Sequence, residues 1–369
     1  MHETRAAVLD ALSSGPVTGP DLAERLGVSR AAVWKHVEAL REAGFEIESR
    51  EDGYVLVGIP EFGGEAVEYG LDAPFEVEFH ETIGSTNDRA RELAGEGAED
   101  VVVLADEQTG GRGRLDREWS SPSGGVWASL VLRPSLPPAR VSLLTLAAAV
   151  AVTDAAREAG VAAAIKWPND VLVSDREESN EPSSARSADD SAERGGRKLA
   201  GILTEMEGES NRVSWVVLGV GVNANVPAEA LHEGATSLQD EFGAVDRRRF
   251  VQRVLERFDE LRESPDDVVP AWKERSATLG QRVRVETPGG AVVGEAVDVT
   301  DVGALVVQTD TGGREVVHAG DCEHLRPVWA YPTRWRSRTP SPPRSPHRPP
   351  PSPSSRRLRP SCRHRPGRS

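Results

Sequence analysis

Cysteine, methionine and tyrosine are scarce in this chain of 369 residues: two, two and three of each. Two thiols, Cys322 and Cys362, exclude a disulfide framework and a four-cysteine zinc site. No uninterrupted apolar run approaches the roughly 18 residues that a membrane helix needs. No secretory leader is expected from the opening residues. The expectation is therefore a cytoplasmic protein with no membrane partner. The glycine-rich GxxxxGK loop followed by Ser or Thr is missing, which disfavours a P-loop nucleotide site. Net positive charge is missing too: the formal charge is −15. The last 39 residues, from Tyr331, hold eleven Arg and no Asp or Glu, so the remainder carries −26. Such a balance keeps a protein soluble by repulsion and argues against unspecific nucleic-acid binding.

What is present suffices for two or three domains, since 38% of the residues are hydrophobic. Residues 1–58 read as helix, helix, turn, helix and hairpin. Pro20 and Gly27 bracket a short helix, and Ser29 is placed to cap the next. Val33, Val37 and Leu40 give that helix one apolar face, and Asp52-Gly53 marks the hairpin turn. This is a winged helix-turn-helix pattern. Residues 60–74 are weakly patterned and read as a linker. From 75 to 265, strands are expected at Val101–Ala105, Val126–Leu132, Val171–Val173, Leu199–Leu203 and Val213–Val222, with long helices at Ala139–Ala159 and Asp246–Glu263. The class is α+β or α/β around a mixed sheet. Residues 276–328 alternate in short strands between Gly-rich turns, as in a small β-barrel. Residues 174–196 and 331–369 are low-complexity: the first reads as an insertion between two strands, the second as a disordered tail.

Four stretches carry candidate chemistry. "DEQTGGRGRLDREWSSPSGG" (106–125) sets Arg112, Arg114 and Arg117 among glycines, where backbone can approach a ligand and guanidinium forks match carboxylate or phosphate; a solvated basic turn explains it equally well. Lys198 precedes an apolar strand, where a lysine is more often a surface residue. Ser85 or Thr86 in "ETIGSTND" caps a helix, and "GVGVNAN" ends a strand.

Taken together and in order, "GSTN", "QTGGRGR", "REW", "KWPND", "RKLAGIL" and "GVGVN" resemble the bifunctional biotin-protein ligases that also act as biotin operon repressors. The resemblance implies a central ligase domain of class II synthetase-like type at 75–265, an SH3-like β-barrel at 276–328, and biotin and ATP as substrates with Mg²⁺ carried on the nucleotide rather than in a protein cage. It assigns Lys198, Arg114 and Asp170 to catalysis. Ser85, Thr86, Asn87, Gln108, Arg112, Gly113, Arg114 and Lys198 are assigned to biotin, and Trp119, Lys166, Asn169 and Asn223 to ATP. Ser29, Arg30, Lys35 and His36 are assigned to DNA. The implied partners are the biotin carboxyl-carrier domain of a biotin-dependent carboxylase, operator DNA, and a second copy of the chain once the adenylate is bound. The chemistry asks for such residues independently. A carboxylate attacking an α-phosphate needs fixed cations, and a hydrolysable mixed anhydride needs a lid. Residues 1–59 hold six Lys and Arg against ten Asp and Glu, which predicts weak DNA affinity. Two other readings stay open: a biotin-sensing regulator without turnover, and a lipoate or octanoate ligase on the same fold.

Overall fold

The computed structural model describes residues 1–174, 195–209 and 211–325. The expected tail and nearly all of the expected insertion lie outside them.

The N-terminal segment forms α1 (Glu3–Ser13), α2 (Gly19–Leu26), α3 (Arg30–Glu42) and a hairpin of β1 (Glu46–Arg50) and β2 (Gly53–Gly58). Its boundaries follow local chemistry. Ser29 Oγ accepts from Ala32 N at 3.1 Å to start α3, and Gly27 ends α2 in the left-handed region at φ 65°. Val33, Val37 and Leu40 are buried with Val8, Leu9 and Leu22 in a core of their own.

Residues 60–74 are not a loose linker. They contain α4 (Gly64–Glu68), whose Ala66 and Val67 are buried. Gln252 Nε2 donates to Val67 O at 2.7 Å and to Tyr69 O at 2.9 Å, fixing this segment to a later helix. The other side of α4 holds the N-terminal helix, through Arg5 and Glu65 at 2.8 Å.

The central sheet has seven strands in the order β3-β4-β5-β9-β8-β7-β6. These are β3 (Glu76–Ile83), β4 (Val101–Gln108), β5 (Val126–Leu132), β6 (Ala163–Lys166), β7 (Asp170–Val173), β8 (Arg197–Glu209) and β9 (Arg212–Val222). Only β3 and β4 run parallel; the other pairs are antiparallel. On one face lies α6 (Ser142–Glu158), backed by helices Arg247–Glu263 and Pro265–Arg275. The other face carries α5 (Thr86–Glu96). The stretch Pro138–Glu158 is long and apolar enough to cross a membrane by length and composition, and most of its apolar window is buried. Its Ala and Val raise the mean hydropathy without forming an unbroken run. Here those side chains fill the core against Leu218, Val220 and Phe258.

The last strands, β10 (Arg282–Thr287), β11 (Gly290–Val299), β12 (Leu305–Thr309), β13 (Arg314–Val317) and β14 (Asp321–His324), form an antiparallel sheet in the order β13-β12-β11-β10-β14. Among the described residues no pair closes it into a barrel. Val283, Val285 and Leu305 belong to the same core as α6, so this sheet packs into the core of the central domain.

Candidate active site

A cavity of about 440 Å³ opens against the sheet. Its floor follows from strand alternation. Val216, Leu218, Val220 and Val222 point into the α6 core, so Gly219 and Gly221 face the other way. With Gly201 on β8 they leave the floor bare. Trp119 takes the space: a Cβ on Gly221 would stand 2.9 Å from its Nε1, and one on Gly201 3.1 Å from its ring.

One end of the cavity is lined by neutral polar side chains, those of Ser85, Thr86, Asn87 and Gln108. Ser85 caps α5 by accepting from Asp88 N at 3.4 Å. Thr86 N and Oγ1 donate to Gln108 Oε1 at 2.8 and 3.0 Å. Ser129 Oγ lies 2.7 Å from Thr86 Oγ1 and 2.6 Å from Asn87 Oδ1, and Asn87 Nδ2 donates to Glu205 Oε2 at 2.7 Å. Ser85, Thr86, Asn87 and Ser129 are all buried, and the bonds from Ser129 to Thr86 and Asn87 are held away from competing solvent.

The other end is charged. Lys198 Nζ stands 2.7 Å from Asp170 Oδ1 and 4.9 Å from the centre of the Trp119 ring. A β-bulge decides this. Asp170 pairs with Gly201 and Val171 with Ala200, but Leu172 pairs with Lys198, so Leu199 is the extra residue. Leu199 and Ala200 both enter the core, and Lys198 turns to the cavity side with Asp170. Lys166 lines the same end and is buried. Burial pushes its ammonium below the ordinary lysine range, opposed by the charge of Asp170. Among the described residues nothing bonds that ammonium. Asn223 Nδ2 donates to Thr236 O at 3.0 Å and secures the loop that forms the far wall. Asp321, Cys322 and Glu323 close this end from β14. Burial pushes the Cys322 thiol up to about 12, so it is a neutral group there.

The 106–125 loop arches over the opening. Arg114 donates to Asn169 Oδ1 at 2.9 Å and to Gly320 O at 2.8 Å, and Arg117 pairs with Asp321 at 2.7 Å. Arg112 pairs with Asp88 on α5. Leu115, between them, has φ 57°, an unfavourable value for a branched residue. The loop is thus held on one side by α5 and on the other by the terminal sheet.

All the residues that the sequence reading assigned to biotin, ATP or catalysis line this one cavity, Gly113 included. It did not single out Trp127, Ser129, Gly219 or the 321–323 strand. Glycine at alternate positions of a strand, 219 and 221, is the one signal that was available for the floor. The residues assigned to DNA are far off in the chain, on α3 and at its N-cap. Arg30 and Lys35 are exposed beside Trp34, itself 56% exposed. Ser29 is spent on its cap, and the half-buried His36 ring lies 5.5 Å from that of His2. Arg41 turns back to the wing, donating to Ile47 O at 2.6 and 2.9 Å.

A mixed sheet whose pocket gathers cations beneath a Gly-Arg loop, joined to a helix-turn-helix, defines the class: a ligase carrying a DNA-binding module. Comparison with known proteins gives the family. Residues 80–223 match the Biotin/lipoate A/B protein ligase family, residues 278–325 the Biotin protein ligase C terminal domain, and residues 5–55 an HTH domain. The chain is 35% identical over 321 residues to the bifunctional ligase/repressor BirA of Bacillus subtilis, covering 82% of this chain and 92% of that one. It is 38% identical over 262 residues to the biotin--[acetyl-CoA-carboxylase] ligase of Mycobacterium tuberculosis, covering 66% and 86%. In fold it is similar to the biotin protein ligase of Aquifex aeolicus in complex with biotin and ATP, with a TM-score of 0.55 and 23% identity over 68% of this chain and 99% of that one. The chain belongs to the biotin protein ligase family, among the bifunctional ligase/repressors.

Proposed function

We propose that this protein activates biotin with ATP and transfers it to a lysine of a biotin carboxyl-carrier domain, and that it represses transcription in response to biotin. The observation that carries the reading is the two-ended cavity: a neutral hydrogen-bonding cluster at one end, Lys166 and Lys198 at the other, and the Arg114 loop above. The neutral end suits an uncharged ureido ring, which offers donors and an acceptor but no charge. The cationic end suits a carboxylate meeting a phosphate.

In the first step a biotin carboxylate oxygen attacks the α-phosphorus, the bond to the β-phosphate oxygen breaks, and pyrophosphate leaves. Lys198, Lys166 and Arg114 offset the repulsion between the two anions and stabilise the charge that develops on phosphorus. Trp119 contributes a buried indole N–H that has no acceptor among the described residues. In the second step the amine of the carrier lysine attacks the acyl carbon and AMP leaves. Asp170 accepts the proton that the amine sheds. Ser85, Thr86, Asn87, Gln108, Arg112 and Gly113 hold biotin, and Asn169 and Asn223 order the nucleotide side. Magnesium would arrive on the nucleotide and neutralise its phosphates. Among the described residues no group of three or more His, Cys, Asp or Glu is arranged to hold a metal ion by itself.

Several finer points belong to the same proposal: the boundaries 1–58, 75–265 and 276–328; a class II synthetase-like ancestry for the central sheet and an SH3-like curl for the terminal one; a cytoplasmic location; a carboxylase as the source of the carrier; and a dimer formed once the adenylate is bound. Arg30 and Lys35 would meet DNA phosphates from α3. The acidic balance around them keeps a single winged helix weak, so two copies on two half-sites would supply the affinity.

The deciding experiment is ATP–pyrophosphate exchange, run with biotin and then with lipoate. Exchange with biotin alone is expected. Exchange with lipoate alone would move the chain to the other branch of its family, and exchange with neither would leave a sensor without turnover.

A further inference from the structure

The 106–125 loop leaves the sheet at the end of β4 and returns at β5, and one side chain outside the cavity touches both exits. Arg247 is the first residue of helix Arg247–Glu263 and only 9% exposed. Its Nη1 donates to Asp106 Oδ1 at 2.6 Å and to Gly125 O at 3.3 Å. Its Nε and Nη2 donate to Glu61 Oε1 and Oε2 at 2.9 and 2.7 Å. The guanidinium carbon lies 4.1 Å from the centre of the Phe62 ring. Asp106 in turn accepts from Ser123 Oγ at 2.5 Å, so the two exits are also bonded to each other. Glu61 and Phe62 precede α4, the helix that carries the N-terminal segment through Glu65 and Arg5.

We propose that Arg247 is a positioning residue for the lid: it fixes both hinges of the 106–125 loop and joins them, through Glu61, to the segment that bears the winged helix. The inference rests on the reading of that loop as the lid over the adenylate. A planar fork with five donors can serve two carboxylates and a carbonyl at once, which the single ammonium of lysine cannot do in the same geometry. With the hinges fixed, Arg112 and Arg114 come down over the cavity in one register. With a hinge loosened, open arrangements of the loop gain population and the bound intermediate escapes.

The test uses the full chain and two conservative variants, Arg247→Lys and Glu61→Gln. Glu61 has a side chain 52% exposed, so its amide should fold normally. Two readouts bear on the loop. One is tryptic cleavage after Arg112, Arg114 and Arg117 in protein without ligands. The other is release of biotinyl-adenylate after mixing with biotin and ATP. Loss of one charge-assisted bond at a hinge should speed both about tenfold in Arg247→Lys, and by a smaller factor in Glu61→Gln, with little change in pyrophosphate exchange at saturating substrates. Wild-type cleavage and wild-type release in both variants would overturn the proposal. So would cleavage that rises equally throughout the chain, which marks a purely structural arginine. Should Arg247→Lys fail to fold, Glu61→Gln decides by the same two measurements. If wild-type protein forms no adenylate, the ligase reading fails, while the cleavage comparison still judges the hinge.

Discussion

Replacing Lys198 by alanine should abolish most adenylation and leave the protein folded. Two effects add. The first is loss of a donor aimed at developing charge, which typically costs about 10²- to 10³-fold in rate. The second follows from the ion pair at 2.7 Å with Asp170. A substrate anion touching the far side of the ammonium at the same distance would lie about 5.4 Å from Asp170 Oδ1, twice that contact. Once the ammonium is gone, a bare carboxylate repels that anion by roughly 3 kcal/mol at an effective dielectric constant near 20. The single variant should therefore lose roughly 10⁴- to 10⁵-fold in kcat/KM for pyrophosphate exchange. Lys198→Ala combined with Asp170→Asn removes the repulsion but not the need for a cation. It should recover part of the loss and stay at least about 10²-fold below wild type. Thermal unfolding should barely move, because the pair is partly exposed and such pairs contribute on the order of 1 kcal/mol or less. Wild-type turnover in the single variant would remove Lys198 from catalysis. Full recovery in the double variant would show that Lys198 serves only to neutralise Asp170.

Arg114→Gly cuts the bonds to Asn169 and Gly320 that anchor the lid; the adenylate should leak and label lysines of bystander proteins, and retained target selectivity would contradict the lid role. Burial, with the charge of Lys166 adding to it, lowers His324 to about 4 from 6.5. The unfolded chain then binds the extra proton between these values, so this contribution is complete above about pH 6.5 and is lost as pH falls toward 4; urea unfolding at pH 7 and 5 should differ by about 2 kcal/mol more in wild type than in His324→Asn, and equal slopes would refute the assignment. Deleting residues 175–194 should spare exchange activity, because Val173 and Arg197 are already paired across the gap and a short turn through Gly195 and Gly196 can join them; lost adenylation would mean that the segment serves the site, and a raised KM for the carrier domain alone would mean that it recognises the partner.

The winged helix was legible because its determinants are local. Ser29 caps, Gly27 terminates, and Val33, Val37 and Leu40 lie on one side of a single helix whatever that helix packs against. The long helices were legible for the same reason: Asp246 caps the one expected from it by accepting from Arg249 N at 2.9 Å. Elements whose structure depends on a neighbour were missed. The short strand Ala163–Lys166 is held by pairing with β7. Helix Pro265–Arg275 has Pro270 inside it and is anchored by the buried Trp272, and α4 is a single turn kept in place by Gln252.

The sequence by itself determined the local elements and, through motifs in their order, the chemistry to expect: a Gly-Arg loop, a lysine beside an apolar strand, a capped Ser-Thr-Asn. Only the tertiary structure decided that these meet. The strand order β3-β4-β5-β9-β8-β7-β6 brings Gln108, Gly221, Lys198 and Asp170 around one cavity although they are spread over some 110 residues. The bulge at Leu199 decides which side of the sheet Lys198 faces. Without it the two-residue period of the strand would send the ammonium into the core, and a period of two cannot be read for parity from a sequence until the partner strand's register is known. Arg247 makes the same point at longer range. Nothing near it in the chain distinguishes it from its neighbours Arg248 and Arg249. Its role comes from Glu61, Asp106 and Gly125, which reach it only because the sheet and its helices have packed.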